Sequence, residues 1–199
     1  MTNRIAPSAS VYALVQNDMK HQRLLNNVGM MTLISREIEN TILKDGVKAR
    51  VFSSFQRISS FLPQRKRYEQ MAARAESVYV FAHFDMTPPP IVNVNFIPVD
   101  PESQFAKEWF VVTDAPNFFT ALVTEEVDSP DDPRAQRMFR GLWSFDEEMV
   151  TIIQDWLSSI VQIQMPAHAD QRSASDYRAQ IAIMSNVISR LTGELVSLK

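Results

Sequence analysis

Residues 78–82 read VYVFA, an unbroken apolar run rich in β-branched and aromatic side chains. A run of that length and composition reads as a buried strand. It passes straight into His83, Phe84 and Asp85, and the prolines at 88–90 then stop it. A buried strand needs neighbours, and four other segments can supply them. KARVFSSFQ (48–56) is one. IVNVNFIPV (91–99) alternates apolar and polar residues, and its Pro98 suits a sheet edge better than a sheet centre. WFVVTD (109–114) and FFTALVTEEV (118–127) complete the set, with Asp114, Pro116 and Asn117 supplying turn chemistry between them.

The helical segments frame these strands. Ser8 or Ser10 can cap a short helix over 11–20. Met30, Ile34, Ile38 and Ile42 recur every four residues and predict a helix over 28–43, ended by Lys44, Asp45 and Gly46. Pro63 suits the first turn of the helix QRKRYEQMAARA. Ser144 with Glu147 forms a capping box for a helix reaching about residue 164, with Val150, Ile153, Leu157 and Ile160 on one face and Pro166 as its stop. Ser173 with Asp176 opens a last helix. There Tyr177, Ile181, Met184, Ile188, Leu191, Leu195 and Leu198 follow the alternating 4,3 spacing of an a/d seam. Ile183, Val187 and Val196 widen that stripe, so both a two-chain contact and packing on its own domain remain open. The expected fold is α+β or α/β. It is a single domain over 1–166, with a sheet of about five strands covered by helices, followed by a coiled-coil-like association helix over 171–199.

Composition narrows the function more by exclusion than by assertion. A net charge of −3 argues against nucleic-acid binding by phosphate neutralisation. The absence of cysteine excludes disulfides, thiolate metal sites and iron–sulfur clusters. The four glycines, Gly29, Gly46, Gly141 and Gly193, lie too far apart to form a phosphate-cradling loop. No apolar run approaches the roughly 20 residues of a membrane span, and the N-terminus lacks the apolar region of a signal peptide, so the expected location is the cytoplasm. The DSPDDP stretch (128–133) reads as a solvated acidic loop.

Few residues offer chemistry. His83 and Asp85, two apart at a strand end, share a face and could act as an acid–base pair or as two metal ligands. Neither role is completed locally, because His21 and His168 lie far away in sequence and no HxH, HExxH or DxD cluster exists. The polar exit of a strand is the plainer reading. Arg65, Lys66 and Arg67, with Arg57 and Arg74, form the main basic group. Arg67 and Arg74 share a helix face and could clamp a phosphate or carboxylate, or simply be solvated. The many aromatics, Phe52, Phe81 and Trp109 among them, are mostly core and could also line a pocket for a planar ligand.

The order of ISREIEN, VFSSFQR, ARAESVYVFAHFD, EWFVVTDAPNFFTALV and GLWSFDEEMV resembles the DICT sensory domain, named for diguanylate cyclases and two-component systems. The resemblance spans about residues 10–165. It implies a regulatory, non-enzymatic input domain, of a kind common in cyanobacteria and proposed to take part in light response. It brings no catalytic motif, no metal and no named cofactor. Its most family-like pieces are Phe55 and Gln56, the VYVFA strand, Glu108 and Trp109, and the Phe118–Phe119 pair; Gln56, Glu108 and Trp109 join Arg57, Arg67, His83 and Asp85 as candidate ligand or partner contacts. Family members are often fused to a cyclase, kinase or DNA-binding output. This sequence ends at Lys199 without room for one, so any signal is expected to pass to a kinase, cyclase or larger assembly in trans. The expected function is a sensory module acting through protein association, as a dimer through residues 173–198. An adaptor subunit of a larger assembly, such as a photosynthetic one, is the alternative, and an enzyme using His83 and Asp85 a remote one.

Overall fold

The computed structural model describes residues 5–17, 24–127, 137–163, 165 and 168–197. Among these, seven strands form a single mixed sheet in the order β1-β7-β6-β5-β2-β3-β4. They are β1 (Leu24–Asn27), β2 (Arg50–Arg57), β3 (Ser77–His83), β4 (Val94–Pro98), β5 (Glu108–Ala115), β6 (Phe118–Val127) and β7 (Met138–Ser144). β2, β3 and β4 run parallel, and the remaining pairs are antiparallel. The fold is α+β. Pro98 ends β4 at the sheet edge, where no ladder hydrogen bond is lost.

The expectation of five strands fell short by β1 and β7. β1 is only Leu-Leu-Asn-Asn, too short to display alternation. β7 carries Gly141 in mid-strand, which weakens a strand reading. The reason for that glycine is tertiary: a Cβ there would lie 2.0 Å from the Val123 carbonyl oxygen of β6.

Among the described residues six α-helices cover the sheet: α1 (Val11–Val15), α2 (Val28–Leu43), α3 (Ile58–Phe61), α4 (Arg65–Ala72), α5 (Glu147–Ile160) and α6 (Ala174–Ser197). α1 is shorter than expected; residues 18–23, where His21 falls, lie outside the described chain. Ser10 caps it by accepting from the Ala13 N–H. α2 matches its expected span, capped by Asn27 and followed by Gly46 at φ +73°. Pro63 sits in a 3-10 turn over Leu62–Gln64, between α3 and α4. α5 starts from Asp146, which accepts from the Met149 N–H at 2.8 Å; Ser144 instead accepts from the Asp146 N–H. It ends at Ile160, earlier than residue 164; the expected stop, Pro166, and the acidic loop 128–133 lie outside the described residues. Ser173 and Asp176 bond reciprocally as a capping box.

α1 and α5 cover one face of the sheet. Val11, Val15, Val150, Ile153 and Leu157 rest there on Phe52, Phe81 and Phe110. The other face lies under α2, α3, α4 and α6. Tyr68 and Met71 pack on Val51, Val78 and Val80, while Ile34 and Ile38 pack on Val111, Leu122 and Phe139. Each such side chain contributes about 1.5–3 kcal/mol by leaving water.

α6 lies against its own domain. It buries Gln180, Ile183 and Val187, a stripe displaced from the 4,3 seam. The Gln180 amide accepts from the Phe119 N–H at 3.0 Å and donates to the Phe119 carbonyl at 2.9 Å, satisfying both backbone groups on the β6 edge. Arg172, with a fully buried side chain, pairs with Asp114 and Glu147, and its guanidinium lies 4.1 Å from the centre of the Phe119 ring. Of the seam, Met184 and Leu191 are half-buried. Tyr177, Ile181, Ile188 and Leu195 face solvent, Ile181 and Ile188 with 64% and 55% of their surface exposed. Leu198 lies outside the described residues.

Candidate functional site

α2 does not sit down on the sheet along its whole length. Ile34 and Ile38 point to the core, but Thr32, Ser35, Arg36 and Glu39 occupy the adjoining face. Small and polar side chains there leave room over β2 and β5, and a cavity of about 270 Å³ results. Ser53 and Phe55 of β2 and Trp109 and Val111 of β5 form its floor. Gln64 and Tyr68 form a side wall, and Gln56 and Arg137 lie at one end.

Ion pairs fix the walls. Arg67 reaches from α4 to α2, pairing through Nε with Glu39 and donating to the Arg36 carbonyl at 2.8 Å and Asn40 Oδ1 at 3.0 Å. Burial raises the Glu39 carboxyl above its ordinary value, and Arg67 offsets part of that rise. The Tyr68 hydroxyl is pushed well above its usual range, first by burial and then by the negative charge of Glu39. Trp109 Nε1 donates to Ser35 Oγ at 3.0 Å across the slot. At the far end, Arg137 pairs with Glu126 and donates to Gln56 Oε1 at 2.5 Å, while Gln56 Nε2 donates to Glu126 at 2.9 Å. Ser53 Oγ is buried beside this wall and makes no hydrogen bond of ordinary geometry. Arg36 is exposed and has no carboxylate partner among the described residues.

The candidates read from sequence fall in different places. Gln56 and Trp109 line the slot. Glu108 borders it too, but its carboxylate serves α1 on the opposite face, accepting from Ser10 Oγ at 2.5 Å, Val11 N–H at 2.9 Å and Tyr12 N–H at 3.3 Å. Burial raises that carboxyl to about 7 against these bonds. Arg67 and Arg74 form no joint clamp: Arg67 is spent on Glu39, and Arg74 donates to the Leu43 carbonyl at the end of α2. Arg57 and His83 stand opposite each other in register at the carboxyl ends of β2 and β3, beside a recess that adjoins the slot through Gln56, Ser60 and Arg137. Asp85 is engaged elsewhere, accepting from the Ser59 N–H at 3.1 Å in the first turn of α3. The Ser59 side chain holds its carboxyl below the usual range. His168 lies far from both, 3.2 Å from Glu76. Among the described residues no group of three His, Asp or Glu side chains could hold a metal ion, and no helix is long and apolar enough to cross a membrane.

Thr32, Ser35, Arg36, Glu39, Ser53 and Tyr68 went unread as site residues in the sequence. For Ser35, Arg36 and Glu39 the signal was the polar ISREIEN segment inside a buried helix, where Ser35, Glu37, Glu39 and Asn40 are all buried; Thr32, Ser53 and Tyr68 carried none.

The family model described as a sensory domain in diguanylate cyclases and two-component systems matches residues 8–127. The chain belongs to the DICT sensory-domain family. No curated protein and no solved structure matches it. The matched stretch of this DICT chain runs from α1 through β6 and stops short of the residue 165 expected from the resemblance. It contains every slot residue named above except Arg137, whereas β7, α5 and α6 lie beyond it.

Proposed function

We propose that this DICT chain is a non-enzymatic sensory module whose input is the slot under α2 and whose output is self-association through α6. The observation that carries this reading is the double use of α2. Thr32, Ser35, Arg36 and Glu39 line the slot on one side of the helix. On another side, Glu37 accepts from Arg190 of α6 at 2.6 Å, and Ile42 shares a core cluster with Ile183 and Met184. A shift of α2 on ligand entry is thereby passed to α6 by direct packing. The exposed Ile181, Ile188 and Leu195 recur every seven residues, a spacing that a second copy of the same helix complements. In this reading the module works in the cytoplasm and hands its signal to a cyclase or kinase in trans; a light-dependent input would require a chromophore in the slot. The adaptor alternative uses the same stripe but gives the polar slot no role.

Sedimentation of the full chain tests the output. The wild type is expected to be a dimer, and the triple substitution Ile181→Glu, Ile188→Glu, Leu195→Glu a folded monomer. A folded triple variant that still sediments as a dimer would remove α6 from the interface.

A further inference from the structure

We propose that the slot binds a small organic monoanion built on a flat apolar ring. This rests on reading the slot as the input of the sensory module, and not on α6 dimerising. Charge decides the sign of the ligand. Glu39 is matched by Arg67 and Arg137 by Glu126, whereas Arg36, exposed at the mouth, feels Glu39 only through space and forms no ion pair among the described residues. A carboxylate or sulfonate at the mouth supplies a counter-ion in a two-bond geometry. A cation would meet Arg36 and find Glu39 already occupied.

Shape decides the rest. The floor presents Phe55 and Trp109, and Val28 and Val111 close the apolar part. Two aromatic walls suit a planar ring. The volume of about 270 Å³ equals about nine waters at roughly 30 Å³ each, which holds one or two fused rings. A lone arginine without a glycine-rich loop argues against a polyphosphate. Inside, Ser53 Oγ is buried beside the Tyr68 hydroxyl and makes no hydrogen bond of ordinary geometry, and buried polar atoms are rarely left so. An oxygen on the ring system would accept its proton. The ligand class is therefore an aromatic acid, preferably carrying a ring hydroxyl or carbonyl oxygen at the end opposite the acid group.

The probes are 6-hydroxy-2-naphthoate and 2-naphthoate, with 2-naphthylmethylammonium as the cationic counterpart, titrated calorimetrically into the full chain. Binding is also followed at the Trp109 indole N–H resonance, assigned by its loss in Trp109→Phe. Both naphthoates are expected to saturate a single site and move that resonance, the hydroxy acid binding more tightly and the ammonium not at all. Arg36→Gln, an exposed position that leaves the core intact, is expected to weaken naphthoate by about ten-fold through loss of a charge-assisted contact. Ser53→Ala is expected to abolish the preference for the hydroxy acid. Absence of saturable naphthoate binding, equal binding of acid and ammonium, or unchanged affinity in Arg36→Gln would each overturn the proposal. Sedimentation with and without bound naphthoate keeps the two readings apart. Binding that leaves the dimer unchanged defeats the coupling and keeps the site, whereas failure to bind defeats the site and leaves the dimer standing.

Discussion

On one face of the sheet α1 and α5 rest directly on aromatic rings; on the other, α2 and α4 are tied together by ion pairs over a slot that stays open. Neighbouring residues of one strand serve both faces. Phe110 is fully buried among Phe81 and Phe105, while Trp109, one residue earlier, turns to the slot. The contrast separates two ways of holding a helix to a sheet. Close packing removes water and leaves nothing free to act. A helix held at a distance by Arg67 and Glu39 keeps polar groups next to apolar walls, which is the arrangement a small-molecule site requires.

The largest expected effect comes from cutting each face at its own residue. Phe110→Ala should lower the free energy of unfolding by about 4 kcal/mol, because it opens a cavity in a closed core. Trp109→Ala should cost only about 1–2 kcal/mol despite its larger side chain, because the space beside it is already open. Urea denaturation measures both, and equal losses would erase the distinction between the faces.

The contact of the C-terminal segment with the domain gives the next effect. Arg172→Leu strands Asp114 in a buried site and should cost about 3 kcal/mol at pH 8. Burial already raises the Asp114 carboxyl, with Arg172 opposing. Without Arg172 it can take a proton, so the loss should shrink as pH falls toward 5. A loss independent of pH would mean that Asp114 is not left charged.

Glu108 lies between the two faces with its carboxylate on the closed side, and it supplies the last of these effects. Its carboxyl titrates at about 7 in the fold against an ordinary 4.5. Folding therefore takes up a proton between those values, and this contribution to stability falls as pH rises from 4.5 to 7 and levels off above. At 1.36 kcal/mol per unit the full swing is at most about 3–4 kcal/mol, and less with partial exposure. Glu108→Gln should flatten that slope relative to wild type in unfolding measured at several pH values. An unchanged slope would assign the pH dependence to other groups.

Much of this architecture was legible locally. The spans of α2, β5 and β6 followed from periodicity and turn residues, and the edge position of β4 followed from Pro98. Gln56 and Trp109 were singled out and do line the slot. Arg67 was singled out for a clamp with Arg74 or a solvated helix face; it pairs instead with Glu39, which sits in another helix 28 positions away and leaves no local sign of the pairing. Asp85 was read chiefly as the polar exit of a strand; that it also accepts from the Ser59 N–H in the first turn of α3 had no local sign, because the two are 26 positions apart. The seam on α6 was visible, but a helix with two apolar stripes does not announce which one its own domain will use.

By itself, then, the sequence determined most of the secondary elements, the caps at Ser10 and Ser173 and the excluded chemistries, since these depend on residue types within a few positions of one another. Tertiary structure decided that Ile183 and Val187 would be buried while Ile181 and Ile188 stayed exposed, that Gly141 was needed beneath β6, and that α2 would stand off the sheet. Those outcomes depend on pairs such as Arg67–Glu39 and Gln180–Phe119, whose partners meet only after the chain has folded.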